Sequence, residues 1–150
     1  TELNTCVNRS AQGEKFITFF IARINYLKRD IEYINAGHNP PLLIHDDQII
    51  PLEKGTTGLG MFDELPFLTP GHLPFPNNSM LFCYTDGIIE MENNVGQPFG
   101  VEMLGSLLIE QHKDRRMEQL HEVMVETFNN FRQDMSFNDD VTFLSIRITE

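Results

Sequence analysis

Met80-Leu81-Phe82-Cys83-Tyr84-Thr85-Asp86-Gly87 decides the reading of this chain: five apolar or aromatic residues suited to a buried strand, then a carboxylate on an Asp-Gly turn. A second segment mirrors it. Asn138-Asp139-Asp140 stands directly before Val141-Thr142-Phe143-Leu144-Ser145-Ile146, so an acidic pair leads into another strand-like run. If the two runs are neighbours, their carboxylates converge, and oxygen ligands held on rigid backbone are what magnesium, manganese and calcium prefer. On spacing alone, the motifs read first as a turn dipeptide and a solvated strand entry.

With 150 residues and 41% hydrophobic content, the chain is expected to form one domain, 1–150, with a core sufficient for folding. Its 22 acidic against 11 basic side chains give a formal net charge of −11. No Lys/Arg cluster offers a surface for tracking phosphates, which argues against a nucleic-acid partner. Cys6 and Cys83 alone provide neither a disulfide framework nor a thiolate metal site, so a reducing, cytoplasmic setting is expected. No apolar run approaches the roughly 18 residues of a membrane span. The chain starts at Thr1 in what looks like the end of a helix, which suggests a piece of a longer protein truncated at its N-terminus.

Along the chain, Leu3, Cys6 and Val7 recur at helical spacing until Gly13 breaks the pattern. Phe16 to Leu27 and Ile31 to Ala36, separated by Lys28-Arg29-Asp30, predict a β-hairpin. Leu42-Leu43-Ile44 and Ile49-Ile50 around Asp46-Asp47 predict a second hairpin after the proline-rich Gly37-His38-Asn39-Pro40-Pro41 interruption. Lys54 to Phe62, with three glycines, reads as an exposed loop and lacks the Gly-Lys-Ser/Thr ending of a nucleotide-binding loop. Residues 64–70 and 79–84 read as strands. Beyond Gly87, Met103, Leu104, Leu107 and Leu108, then Leu120, Val123, Met124, Thr127 and Phe131, predict two amphipathic helices before the final strand, Val141 to Ile148. Strand runs segregated from helices indicate α+β architecture with antiparallel sheets.

Tyr33-Ile34-Asn35-Ala36-Gly37-His38-Asn39-Pro40-Pro41, Gly58-Leu59-Gly60, Leu81 through Ile88, Glu90 through Gly100 and Asp139-Asp140-Val141-Thr142 occur in that order. The ordered set resembles the SpoIIE-like branch of the PPM, or type 2C, metal-dependent protein serine/threonine phosphatases of bacteria, over about Phe16 to Ile148. The resemblance implies an antiparallel β-sandwich flanked by helices in an α-β-β-α order. It also implies a site for two Mn²⁺ or Mg²⁺ ions and hydrolysis of phosphoserine or phosphothreonine by water, without a covalent phosphoenzyme. Matched by motif, Asp86 and Asp139 are the catalytic metal ligands, while Gly87 and Asp140 support them from behind. A phosphorylated regulatory protein, such as a sigma-factor regulator, would be the partner, and the parent chain would carry an upstream sensory or receiver domain.

The departures are as informative as the match. The family's early acidic segment, an Asp followed closely by a Gly-His-Gly type sequence, has no counterpart before Phe16, so half of the metal site is missing from this chain. Its loss should leave an open sheet edge, which would favour a homodimer. The alternative is a non-catalytic interaction or sensory module with the same fold. Among other polar residues, His38 is expected to order the proline-rich turn. His45, His72, His112 and His121 lack metal-ligand spacing, and Ser10, Ser79, Ser106, Ser136 and Ser145 have no neighbouring His-Asp arrangement. Glu118, Glu122 and Glu126 read as the solvated face of a helix.

Overall fold

A computed structural model describes residues 1–11, 14–111 and 116–148; the helix break expected at Gly13, and His112, lie outside them. The chain runs α1 (Glu2–Ala11), β1 (Phe19–Asn25), β2 (Asp30–Ala36), β3 (Leu42–His45), β4 (Gln48–Pro51), β5 (Gly55–Thr56), β6 (Gly71–Pro74), β7 (Met80–Tyr84), α2 (Asp86–Ile89), α3 (Gly100–Gln111), α4 (Met117–Arg132) and β8 (Phe143–Arg147). Two units emerge: Thr1–Pro40 with Pro51–Asn77, and Pro41–Ile50 with the chain from Asn78 onward.

In the first unit, β1 and β2 form the predicted hairpin, with Phe19 opposite Ala36 and Asn25 opposite Asp30. Asn25 sets the turn: its Oδ1 accepts the N–H groups of Leu27 and Lys28, both at 3.1 Å, and Arg29 then adopts φ 55°. β2 is the spine of this sheet, pairing antiparallel with β6 through Asp30–Tyr33 and parallel with β5 through Asn35 and Ala36. Ile31, Tyr33, Ala36, Leu52, Leu59 and Phe75 are its buried apolar residues.

Three expectations change here. The glycine-containing stretch after Lys54 is not an exposed loop, because Gly55, Thr56, Gly58 and Leu59 are buried and the first two are β5. A side chain at 55 is sterically excluded, since a Cβ there would sit 1.9 Å from the Asn35 carbonyl oxygen. Residues 64–70 form no strand; Pro66 and Pro70 withhold ladder donors, and pairing begins at Gly71. The apolar stripe of α1 is also only partly turned inward, with Leu3 and Cys6 exposed, Val7 half-buried and Asn4 buried. Asn4 Nδ2 donates to the carbonyls of Phe62 (3.0 Å) and Asp63 (3.2 Å), and its Oδ1 accepts the Gly60 N–H (2.9 Å). A polar side chain thus ties α1 to the 60–63 segment, where periodicity points to apolar packing.

The second unit is a sheet in the order β4-β3-β7-β8 with helices on one face. β7 is central, pairing antiparallel with β3 (Leu42 opposite Phe82) and with β8 (Tyr84 opposite Phe143). Its run of buried side chains is what a strand covered on both faces requires. Leu42, Ile44, Met80, Phe82 and Tyr84 pack with Leu104 and Leu108 of α3 and Leu120, Met124 and Phe128 of α4. Phe99 locks the helix layer edge-on to Phe128 (5.4 Å between ring centres) and Phe131 (5.0 Å). Leu104, Leu107, Leu108, Leu120, Met124 and Phe131 of the helical stripes therefore join the core as their spacing predicts, while Met103 is exposed. Glu118, Glu122 and Glu126 lie exposed on α4. The architecture is α+β with sheets that are antiparallel apart from the short β2–β5 pairing. Among the described residues, β1 pairs in a ladder only with β2 and β8 only with β7, which leaves an open edge on each sheet.

Candidate metal centre

Because β7 and β8 are antiparallel neighbours, the C-terminal end of one and the N-terminal end of the other share one end of the sheet. Asp86 follows the first and Asp139-Asp140 precede the second. Their approach is fixed by Thr85, whose backbone N–H donates to the Thr142 carbonyl (3.0 Å), extending the ladder one residue. The Thr85 hydroxyl donates to the Asp140 carbonyl (2.8 Å) and accepts the Thr142 N–H (2.9 Å). A hydroxyl is the small side-chain group that can do both at once. Thr85 is therefore a clamp, a role visible in the sequence only as the hydroxyl residue ahead of Asp-Gly.

Gly87 completes the junction. A Cβ at this position would lie 2.6 Å from the Asp140 carbonyl oxygen and 3.1 Å from that of Asp139. Its φ is not positive, so the glycine serves backbone proximity and not the sharp turn that an Asp-Gly dipeptide suggests. Asp86 itself opens the short helix α2, with the Glu90 N–H bonded to its carbonyl at 2.9 Å.

The side chains of Asp86, Asp139 and Asp140 are exposed. Asp86 Oδ1 accepts the Gly87 N–H (3.1 Å), and Asp139 Oδ1 accepts the Asp140 N–H (2.7 Å). The Asp86 and Asp139 carboxylates are thus each held through one oxygen, and both side chains are exposed. Such an all-oxygen donor set fits a hard divalent cation and not a thiolate- or imidazole-selecting one. The ligand count is incomplete: among the described residues, no three His, Cys, Asp or Glu side chains form a group able to hold a metal. Just behind Asp86, burial pushes the Cys83 thiol up to about 11 and raises the Tyr84 phenol, both in the direction that keeps these groups neutral.

Elsewhere the fold assembles what spacing concealed. Ser79 Oγ lies 3.2 Å from His45 Nδ1, and His45 Nε2 lies 3.5 Å from Asp46 Oδ2, a Ser-His-Asp arrangement absent from the local sequence. Ser79 is 0% exposed, however, so its hydroxyl cannot meet a substrate and the trio locks the ends of β3 and β7. The proline-rich turn is ordered chiefly by Asn35, not by the His38 imidazole. Asn35 Oδ1 accepts the His38 N–H (2.8 Å), and its Nδ2 donates to the carbonyls of His38 (2.9 Å) and Leu52 (3.1 Å). Among the described residues, the imidazole contributes a 3.4 Å contact from Nδ1 to the Thr18 hydroxyl.

Known proteins resemble this chain in sequence and in fold. Phosphoserine phosphatase RsbP of Bacillus subtilis is 25% identical over 148 residues, which is 97% of this chain and 34% of RsbP, so the chain spans about a third of that relative. The SiaA-PP2C domain of Pseudomonas aeruginosa superposes with a TM-score of 0.77 at 17% identity, over 87% of this chain and 51% of that one. The RsbU and RsbW domains of Rv1364c from Mycobacterium tuberculosis give the same score, 0.77, at 22% identity, over 97% and 40%. At these identities the structural likeness establishes the fold. The model of the family described as Stage II sporulation protein E (SpoIIE) matches residues 1–149, and the chain belongs to that family.

Proposed function

We propose that this chain is the C-terminal part of a PPM-type phosphatase domain that hydrolyses phosphoserine or phosphothreonine on a regulatory protein in bacterial signalling. Asp86 and Asp139 are its Mn²⁺ or Mg²⁺ ligands, and Gly87 and Asp140 hold them in place. The observation that carries the reading is the Thr85 clamp, which fixes two acidic strand ends, 55 residues apart in sequence, against each other. The relatives named as phosphoserine phosphatase and PP2C domains support the reaction class. The RsbU–RsbW likeness supports a regulatory protein as substrate and a parent chain with further domains.

The chemistry follows from charge. A phosphate-ester dianion repels an anionic nucleophile, and divalent cations held by Asp86 and Asp139 would supply both charge neutralisation and acidified water. This chain's residues orient the carboxylates before binding, so that little ordering remains to be done when a cation arrives. With two carboxylates the chain alone binds a single hard cation loosely and hydrolyses weakly or not at all. A Mn²⁺ titration of the chain followed by calorimetry, repeated on Asp86→Asn and Asp139→Asn, is expected to show affinity falling at least about tenfold in each variant. Unchanged affinity in both variants overturns the ligand assignment. In a form extended at its N-terminus, Asp86→Ala should abolish Mn²⁺-dependent hydrolysis of an aryl phosphate, and equal rates would refute the metal role.

The second reading, an interaction module with the same fold, is favoured by one observation: the incomplete ligand set among the described residues. The encoded residues upstream of Thr1 discriminate, since an acidic segment there completes the site and its absence favours the module.

A further inference from the structure

Next to the two candidate ligands lies a cleft of about 410 Å³ lined by Ile89, Glu90, Glu92, Pro98, Gly100, Val101 and Asn138. Its volume is at the low end for a ligand pocket. The walls adjoin the site at two points, because Glu90 lies one helical turn beyond Asp86 and Asn138 directly precedes Asp139. They are also built firmly. The 91–99 segment folds back on itself through Phe99 N–H to Met91 O (2.8 Å) and a Glu92–Pro98 bridge. Asn93 Oδ1 then takes the N–H groups of Val95 (3.1 Å) and Gln97 (3.0 Å) at the tip. Ile89, Pro98 and Val101 give an apolar floor, and Val101 remains 41% exposed.

Among the described residues, the lining carries two carboxylates and no positive charge. The three aspartates of the site are offset when cations bind, but Glu90 and Glu92 are not, so the cleft stays negative beside the phosphoryl position. On the phosphatase reading, a phosphorylated side chain seated at Asp86 and Asp139 would bring its flanking residues to this wall, since Glu90 and Asn138 adjoin the two aspartates in the chain. We propose that the cleft is the subsite for those residues and selects a peptide carrying Lys or Arg next to an aliphatic side chain. Charge complementarity commits the basic residue to Glu90 and Glu92, and the apolar floor receives its neighbour. The inference rests on the phosphatase reading for the identity of the peptide, yet its test is independent of metal and of turnover.

Two unphosphorylated peptides, Leu-Arg-Ser-Arg-Leu and Leu-Glu-Ser-Glu-Leu with blocked ends, are titrated into the ¹⁵N-labelled chain without divalent cation. The arginine peptide should shift the amides of Ile89, Glu90, Glu92, Val101 and Asn138, and the glutamate peptide should not. Glu90→Gln with Glu92→Gln should weaken the arginine peptide about three- to tenfold, the range that two exposed ion pairs provide. Glu90→Lys with Glu92→Lys should transfer the preference to the glutamate peptide. Glu118→Gln with Glu122→Gln, which removes the same charge from the exposed face of α4, should change nothing. Equal binding of both peptides, shifts centred elsewhere, or an equal loss in the α4 variant would each overturn the proposal. Because no cation is present, failure here leaves the Mn²⁺ titration standing, and failure of that titration leaves this result readable.

Discussion

Gly87→Ala sets two physical effects of opposite sign against each other. Gly87 lies inside α2 with an ordinary φ, so helix propensity alone makes alanine more stable by up to about 1 kcal/mol. The added Cβ, however, meets the Asp140 carbonyl oxygen at 2.6 Å, and both nearest obstacles are backbone. To reach an ordinary contact the carbonyl must retreat by about 0.8 Å, from 2.6 to 3.4 Å. That movement strains the Thr85 hydroxyl bonds to Asp140 and Thr142, now 2.8 and 2.9 Å. Overpacking costs about 1–3 kcal/mol and each hydrogen bond about 1 kcal/mol, so the expected net destabilisation is about 2–4 kcal/mol. Urea unfolding followed by circular dichroism measures it. Thr85→Val removes the same two bonds without the clash and should cost about 1–2 kcal/mol. The double variant should then lose less than the sum, because both changes act on one junction. A Gly87→Ala protein as stable as the parent, or more so, would refute the close approach of the two acidic strand ends on which the site depends.

Two further outcomes follow from groups outside that junction. Asn4→Ala removes three hydrogen bonds from a side chain that is 2% exposed, and should cost about 2–3 kcal/mol with hydrogen-exchange protection lost first over residues 60–63. Cys83, with its thiol held up at about 11 against an ordinary 9.0, should react with iodoacetamide far more slowly than exposed Cys6 at pH 8.5. For stability the sign is that of a raised pKa: the contribution is complete below pH 9 and is lost as pH climbs through 11, because the unfolded chain gives up the proton first. Equal labelling of both thiols at pH 8.5 would contradict the burial of Cys83.

Strands and helices were legible wherever one local rule dominated. The apolar run of β7 and the three- and four-residue steps of α3 and α4 each answer to burial on a known period. The failures fall where a distant partner decides. Gly55 and Thr56 look like loop residues, yet the nearness of the Asn35 backbone makes them a strand. Asn4 looks like a solvated helix position, and three backbone groups at residues 60–63 pull it inside. The spacing does not single out Phe128, because Val123 and Thr127 also satisfy the stripe; ring packing with Phe99 and Phe143 selects it for the core.

The same division governs the site. Asp86 and Asp139-Asp140 could be picked from the chain because acidic residues at strand ends are unusual enough to notice, but nothing local requires that they meet. Their meeting depends on the register Tyr84 opposite Phe143, which is set by packing: Phe82 and Phe143 stack at 5.7 Å, and Phe143 meets Phe128 edge-on at 6.2 Å. A slip of one residue would turn Phe143 and Ser145 away from α4 and break the 2.6 Å contact from His121 to Ser145. The helix layer therefore positions the carboxylates without touching them. Thr85 and Gly87 convert that register into contact, one by bonding across the gap and the other by leaving no atom in it.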